Sequence, residues 1–264
     1  MKKALLWILA IIITLLSATY QRLTGPTYPF SGKVSFLGQE IKFRLPRSAE
    51  NTENCRVVVR LPENLVNQVK GYLRFKRHKT RQPWNILAME AEEDRLVGFL
   101  PKQPAAGKLE YYVHLLSGSE EISLSGEKPI IIRFKGPVSL PILLAHIITM
   151  FLAMLFSVRA GLAAINPDEA PARLARWTAV LFFIGGFILG PIVQKMAFGV
   201  FWSGFPVGHD LTDNKSLVTM VAWIAALASG RKKPIKRGWV VAAAVITLVS
   251  YLIPHSLLGS EFRW

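Results

Sequence analysis

The stretch PIIIRFKGPVSLPILLAHIITMFLAMLFSV, residues 129–158, marks a change in the character of the chain. Its first part is a short apolar and basic run bounded by proline and glycine, which is typical of a β-strand. Residues 140–158 are almost continuously apolar, and the run is about as long as a membrane-spanning helix requires. The stretch therefore predicts a β region before Pro137 and a membrane region after it.

Further apolar runs predict four more spans. Residues 177–193, 216–228 and 239–253 complete a four-helix region over residues 138–264, and Pro191 is expected to kink or end its helix. Residues 4–19 follow Lys2 and Lys3, a pattern that a cleaved signal peptide shares. Small residues do not occupy both cleavage positions near Ala18, so we favour a retained signal anchor over residues 1–20.

Residues 21–137 have a different texture, with a period close to two. Short runs such as KVSF, CRVVVRLP and KLEYYVHLL are each bounded by Gly, Pro, Asn or Ser. Eight or nine such strands in about 118 residues suit one antiparallel β-sandwich. The predicted fold class is a mixed membrane protein, with this sandwich inserted between the first helix and the four-helix bundle.

The run RLVGFLPKQPAAGKLEYYVHLLSGSEE, residues 95–121, resembles the late strands of immunoglobulin-like or fibronectin type III-like domains. In those domains a strand ending in Leu-Pro is followed by a glycine-containing turn and a Tyr-Tyr strand. The chain lacks the paired cysteines of antibody domains, so the resemblance concerns the architecture. It implies a binding or scaffolding module without chemistry of its own.

Composition excludes some classes of protein and indicates an orientation. The chain is 51% hydrophobic, with a mean hydropathy of +0.32, and its net charge of +15 argues for a membrane protein rather than a free nucleic-acid-binding protein. The single cysteine, Cys55, excludes an intramolecular disulfide framework. The strongly basic loops at residues 159–176 and 231–237 belong with Lys2 and Lys3 on the cytoplasmic side. We therefore expect the sandwich and the C-terminus in the periplasm of a bacterial inner membrane.

Within the sandwich, the segment RFKRHKTRQPW at residues 74–84 concentrates positive charge. A solvated hairpin is one interpretation of this segment, and a surface for an acidic partner or an anionic lipid headgroup is the other. Its periplasmic placement argues against nucleic acid. The residues predicted to bind the partner or headgroup are Arg74, Lys76, Arg77, Lys79 and Arg81.

A second unusual segment is QKMAFGVFWSGFPVGHDLTDNK, residues 194–215. Its centre is too apolar for a solvated loop and too broken by glycine and proline to cross a membrane. We expect an apolar outer loop over residues 196–215 in the membrane interface, with Phe201, Trp202 and Phe205 on its apolar face. The alternative is that this loop covers a pocket for a lipid or a quinone-like ligand.

Three histidines are predicted to lie near the outer surface, where they could converge with acidic residues. Imidazole and carboxylate groups suit zinc, copper or iron, and paired histidines on facing helices can bind haem. No two of these residues have a tight local ligand spacing, and Thr212 or Asp213 also suits the cap of the following helix. The candidate metal or haem ligands are His146, His209, His255, Asp210 and Asp213.

No nucleotide-binding, nucleophile-elbow or zinc-protease motif occurs in the sequence. The leading hypothesis is a non-enzymatic accessory, assembly or docking subunit of an envelope complex, which binds protein partners through the sandwich. One alternative is a metal- or haem-binding redox subunit with the histidine cluster. The other is an enzyme or transporter for a lipid substrate at the outer leaflet, using His209, Asp210 and Asp213.

Overall fold

A period of two governs residues 27–137 and a helical period governs most of the rest, and the computed structural model of the chain separates these regions. It describes residues 2–231 and 234–254. Contacts divide the chain into two compact units. Of the described residues, the helical unit comprises 2–26, 138–231 and 234–254, and the β unit comprises Thr27–Pro137.

Strand β8, Lys108–Ser117, lies inside the large sheet of the β unit. Every second side chain from Leu109 to Leu115 is buried. Leu109, Tyr111, Val113 and Leu115 face the core, and the residues between them are half-buried. The other strands are β1 (Phe30–Phe36), β2 (Gln39–Leu45), β3 (Ser48–Glu50), β4 (Cys55–Arg60), β5 (Lys70–Arg77), β6 (Asn85–Glu92), β7 (Arg95–Leu100), β9 (Glu120–Ser123) and β10 (Ile130–Lys135).

The strands form a two-stranded sheet, β1-β2, and an eight-stranded sheet in the order β3-β10-β8-β5-β6-β7-β4, with β9 beside β8. Strand β6 pairs with β5 through Asn85–Met89 and with β7 through Glu90–Glu92. The prediction of purely antiparallel pairing is wrong at one edge, where β3 runs parallel to β10. That strand has three residues, too few to reveal a pairing direction in the sequence. The immunoglobulin-like arrangement stays a prediction.

One hydrophobic core fills the β unit and draws on both sheets. It joins Phe36, Ile41, Phe43 and Leu45 of the small sheet to buried residues of the large one, such as Val57. At Gly98 of β7, the absence of a side chain lets Leu73 and Met89 pack closely against the backbone. A Cβ at Gly98 of β7 would lie 2.8 Å from Leu73 Cδ1 and 3.0 Å from Met89 Cγ.

The helical unit contains a helix over each of the five predicted spans. Helix α1 (Lys2–Thr24) extends beyond the predicted end at residue 20. It is followed by α2 (Leu140–Ile165), α3 (Ala172–Phe183), a π-helical segment (Ile184–Leu189), α4 (Gly190–Phe198), α5 (Leu211–Ala228) and α6 (Arg237–Leu252).

By length and composition, three helices of the described chain could cross a membrane: Lys3–Thr24, Leu140–Ile165 and Ala172–Phe198. By this criterion, three of the five predicted spans are long and apolar enough to cross a membrane. Helix α5 has 18 residues, but its first turns carry Asp213 and Lys215, and α6 has 16 residues.

The helix from Ala172 to Phe198 continues through Pro191, so of the two expected effects of this proline, ending the helix does not occur. Proline cannot donate a backbone hydrogen bond, and a helix must rearrange before it. Here the chain widens into the π-helical segment, in which the Gly190 amide donates to the Gly185 carbonyl five residues earlier. The rearrangement therefore precedes the proline and keeps the helix continuous.

Arg237, the first residue of α6, closes the C-terminal end of α2. Its guanidinium donates to the carbonyl oxygens of Asn166 at 2.6 Å and Glu169 at 2.7 Å, and to those of Ala163, Ala164 and Pro167. The last carbonyls of a helix have no intrahelical donor, and they carry partial negative charge. The positive charge of Arg237 therefore stabilises the end of α2 and fixes α6 against it.

Candidate functional site

The outer side of β5 and β8 presents a set of aromatic and basic side chains, which we call the basic–aromatic face. Along β5, Tyr72, Arg74 and Lys76 point away from the core, because the residues between them are buried. In the antiparallel register they lie opposite His114, Tyr112 and Glu110 of β8, respectively. Together with Trp84, which precedes β6, these six residues define the face.

The aromatic rings of the face form a continuous row. Tyr72 stacks on His114 with ring centroids 4.7 Å apart, Tyr112 lies 5.8 Å from His114, and Trp84 lies 5.3 Å from Tyr112. The charged ends of Arg74 and Lys76 lie 5.0 and 4.9 Å from the centre of the Trp84 ring. Cation–π attraction therefore orients both cations before any ligand arrives.

Glu110 ties the β5–β6 hairpin to this face. One of its oxygens lies 2.8 Å from His78 Nδ1 and accepts a hydrogen bond from the Lys79 amide at 3.2 Å, and the other lies 3.6 Å from Lys76 Nζ. Burial by itself would raise the pKa of Glu110, but the hydrogen bonds from Lys79 and His78, with the charge of Lys76, hold that pKa below its usual value. Glu110 is therefore ionised at neutral pH and holds the hairpin in place.

At the other end of the row, Glu121 accepts a short hydrogen bond from the Tyr72 hydroxyl. Burial raises the pKa of Tyr72 to about 12, and the bond to Glu121 adds to the rise, so the phenol keeps its proton. Burial also lowers the pKa of His114, whose Nδ1 lies 2.7 Å from Glu121 without hydrogen-bond geometry. The positive charge of the face at neutral pH therefore comes from arginine and lysine.

Of the five basic residues predicted from the sequence, Arg74 and Lys76 belong to the face. Arg77 ends β5, Lys79 lies in the turn with a φ of 57°, and Arg81 is exposed in the hairpin. An arginine beside aromatic rings suits a planar anion such as a carboxylate, which it can bind with two hydrogen bonds. The arrangement can therefore bind an acidic group and pack an apolar or aromatic group beside it.

Reasoning from the sequence missed the contribution of β8 to this face. Tyr112 and His114 lie 28 and 30 positions after the end of the basic segment, and only the β5–β8 register places them beside Arg74 and Tyr72. The alternation of Glu110, Tyr112 and His114 with buried residues was the available signal. This alternation shows that the three side chains share the outer face of one strand, but it does not show that β5 is the neighbouring strand.

The apolar loop of the helical unit is shorter than predicted. Residues 196–198 belong to α4, which ends where Gly199 adopts a φ of 84°, and residues 211–215 belong to α5. Phe201 and Phe205 are exposed, whereas Trp202 is half-buried and stacks on Phe187 at 5.8 Å. The side chains of Phe201 and Phe205 are 58% and 67% exposed, and the location of the loop in a membrane interface stays a prediction.

Asp213 fastens this loop to the helices. Its buried carboxylate accepts hydrogen bonds from the Ser203 amide at 2.6 Å, the Ser203 hydroxyl at 3.2 Å and the Gln194 side chain at 3.1 Å. Asp210, rather than the predicted Thr212 or Asp213, caps α5 by accepting from the Thr212 amide at 2.8 Å. Both carboxylates thus have structural roles within the loop.

The candidate metal ligands are only partly described. His209 is exposed beside the loop, and His146 Nδ1 lies 3.0 Å from the Gly185 carbonyl on the neighbouring helix. His255 lies outside the described residues. Among residues 2–231 and 234–254, no group of three or more His, Cys, Asp or Glu side chains could hold a metal ion.

The basic–aromatic face is therefore the most developed candidate site in the described chain, and its geometry is that of a binding surface. No family model, curated protein or solved structure matches the chain, and its function is inferred from its own residues.

Proposed function

We propose that this protein is a non-enzymatic docking or assembly subunit of a membrane complex, anchored by its helical unit, and that its β unit binds an acidic partner protein. The single observation that carries the proposal is the basic–aromatic face, in which Arg74 and Lys76 are held over Trp84 beside a row of aromatic rings. Aromatic residues and arginine are the side chains enriched where proteins bind one another.

The membrane location is supported by the three long apolar helices. The distribution of Lys and Arg supports a cytoplasmic N-terminus and a periplasmic β unit in a bacterial inner membrane. In this orientation the face is directed at partners in the periplasm, and cytoplasmic nucleic acid does not reach it.

The chemistry of the partner follows from the charge of the β unit. Residues 27–137 hold 18 basic and 12 acidic residues, a net charge of +6. Ile86, opposite Arg74 on β6, is 66% exposed and adds an apolar contact beside the cations. An acidic protein segment with apolar or aromatic side chains complements both properties, whereas an anionic headgroup complements the charge alone.

The test is purification from native membranes followed by mass spectrometry of the co-purifying proteins. In the test variant, Arg74→Glu, Arg77→Glu and Arg81→Glu reverse three charges on the face and its hairpin. A control variant with Lys42→Glu, Arg60→Glu and Lys128→Glu makes the same change in net charge at exposed positions elsewhere on the β unit.

We expect a stoichiometric partner with the wild type and the control, and its loss from the test variant. Trp84→Ala should weaken the same association without any change in charge. Recovery of a lone monomer from the wild type would contradict the proposal. A different result would identify lipid as the ligand of the face instead: the wild type binds anionic vesicles, the test variant does not, and no protein co-purifies with either.

A further inference from the structure

Between α1, α2 and α6 the helical unit contains a partly open cavity of about 190 Å³. Its walls are mainly apolar, and even smaller apolar cavities in proteins bind small hydrocarbons. The lining residues are Thr14, Ala18 and Gln21 of α1, His146, Ile147, Met150, Phe151 and Met154 of α2, and Tyr251 of α6. None of them belongs to the basic–aromatic face or to the Asp213 loop.

The polarity of the cavity changes along its length. Gln21 lies near the C-terminal end of α1 and His146 near the N-terminal end of α2, so the polar groups gather at one end of the helices. From His146 to Met154 the wall extends about 12 Å along α2 and becomes apolar. An amphiphile has the same gradient, with a polar head at one end and a hydrocarbon chain at the other.

The polar side chains of the lining use their donors within the protein. Thr14 donates to the Ala10 carbonyl, Tyr251 donates to the Met150 carbonyl at 2.7 Å, and the Gln21 amide donates to the Tyr251 carbonyl at 2.6 Å. A carbonyl only accepts, so in the neutral His146 ring Nδ1 carries the proton and donates to Gly185. His146 Nε2 is then an acceptor.

Within the described part of the chain, neither His146 Nε2 nor the Gln21 side-chain oxygen has a hydrogen-bond partner. The cavity therefore offers two acceptors and no free side-chain donor at its polar end. A ligand must supply a hydrogen-bond donor to match them. A neutral hydroxyl does so without the cost of placing a charged ammonium group among apolar side chains.

We propose that this cavity binds a neutral lipid with a free hydroxyl group, which donates to His146 Nε2 while an acyl chain lies along Met150, Phe151 and Met154. The inference rests on the membrane location proposed above and is independent of partner binding by the β unit.

The probe is a diacylglycerol with a photoreactive diazirine in one acyl chain, compared with its O-methyl ether, which has no hydroxyl hydrogen. The full-length protein is placed in phosphatidylcholine nanodiscs, whose lipids also lack a hydroxyl. Irradiation is followed by mass spectrometry, which measures the labelled fraction and locates the labelled peptides. Extraction of the host membranes with carbonate tests membrane insertion separately, so that its failure is not mistaken for a failure of lipid binding.

We expect labelling within residues 14–21 and 146–154, with the alcohol labelled about three- to tenfold more than the ether, since one hydrogen bond separates the two probes. In His146→Ala this ratio should fall towards one, whereas His209→Ala, at an exposed histidine of the same unit, should keep it.

Because loss of the bond to Gly185 could disturb α2, a second pair of variants leaves His146 intact. Ala18→Phe fills the cavity and should abolish labelling at these peptides, while Thr19→Phe on the exposed side of α1 should not. Equal labelling by the alcohol and the ether in the wild type would overturn the proposal. Unchanged labelling in Ala18→Phe would overturn it as well.

Discussion

Replacing Glu110 by glutamine should loosen the β5–β6 hairpin. The carboxylate contacts His78 Nδ1 at 2.8 Å and the Lys79 amide at 3.2 Å, and its side chain is 15% exposed. Hydrogen bonds to a charged group contribute about 1.5–3 kcal/mol each, and glutamine retains one accepting oxygen. We therefore expect a loss of about 2 kcal/mol in the free energy of opening the hairpin, or a roughly thirtyfold rise in its open population.

Hydrogen exchange of the amides at residues 74–84, read by mass spectrometry, measures this opening directly. Because the folded pKa of Glu110 lies below the usual 4.5, its stabilisation is fully present well above pH 4.5 and is lost as the pH falls through the folded pKa. The difference between wild type and variant should therefore shrink in acid. Glu120→Gln, at an exposed carboxylate of β9, is the matched control. Equal protection of wild type and Glu110→Gln at neutral pH would refute this reasoning.

Three further predictions concern stability and reactivity. Arg237→Ala should lower the stability of the helical unit by about 2–3 kcal/mol in thermal unfolding followed by circular dichroism, because five carbonyls lose a charged donor; an unchanged melting temperature would count against this role. Gly98→Ala should lower the free energy of unfolding of the β unit, measured with urea, by about 1–3 kcal/mol, because its Cβ would approach Leu73 too closely. Adding Leu73→Val should recover part of this loss, and strictly additive effects of the two substitutions would argue against the close approach of Gly98 and Leu73. Burial raises the pKa of the Cys55 thiol to about 11, so maleimide should label the folded protein about a hundredfold more slowly than the unfolded one at neutral pH, and equal rates would contradict its burial.

Much of the division into β and helical regions could be predicted, because the two periodicities differ strongly. The apolar run at residues 140–158 became most of α2, and the period-two runs became strands. The short strand Ser48–Glu50 and the parallel direction of its pairing could not be predicted, since neither leaves a local pattern. The first turn of α5 is polar, so its start at Leu211 depends on the Asp210 cap rather than on hydrophobic periodicity.

The candidate face was predictable only as a cluster of charge. The sequence placed Arg74 and Lys76 in one basic segment, but two of the four rings of the face, Tyr112 and His114, come from β8. Strand register depends on packing over the whole sheet, and a single sequence does not display it. The same limit applies to His146, which lies in α2 within the predicted span at residues 140–158, because its partner, the Gly185 carbonyl, lies on another helix.

The π-helical segment Ile184–Leu189 has a consequence for how the protein tolerates changes in chain length. Such a segment holds one residue more than an α-helix of the same rotation, so a one-residue deletion within it can be absorbed locally. The same deletion within Ala172–Phe183 would rotate all that follows by about 100° and turn Gln194 away from Asp213. The extra residue of this helix therefore lies at Ile184–Leu189, shortly before Gln194, which hydrogen-bonds to Asp213 and so holds the loop.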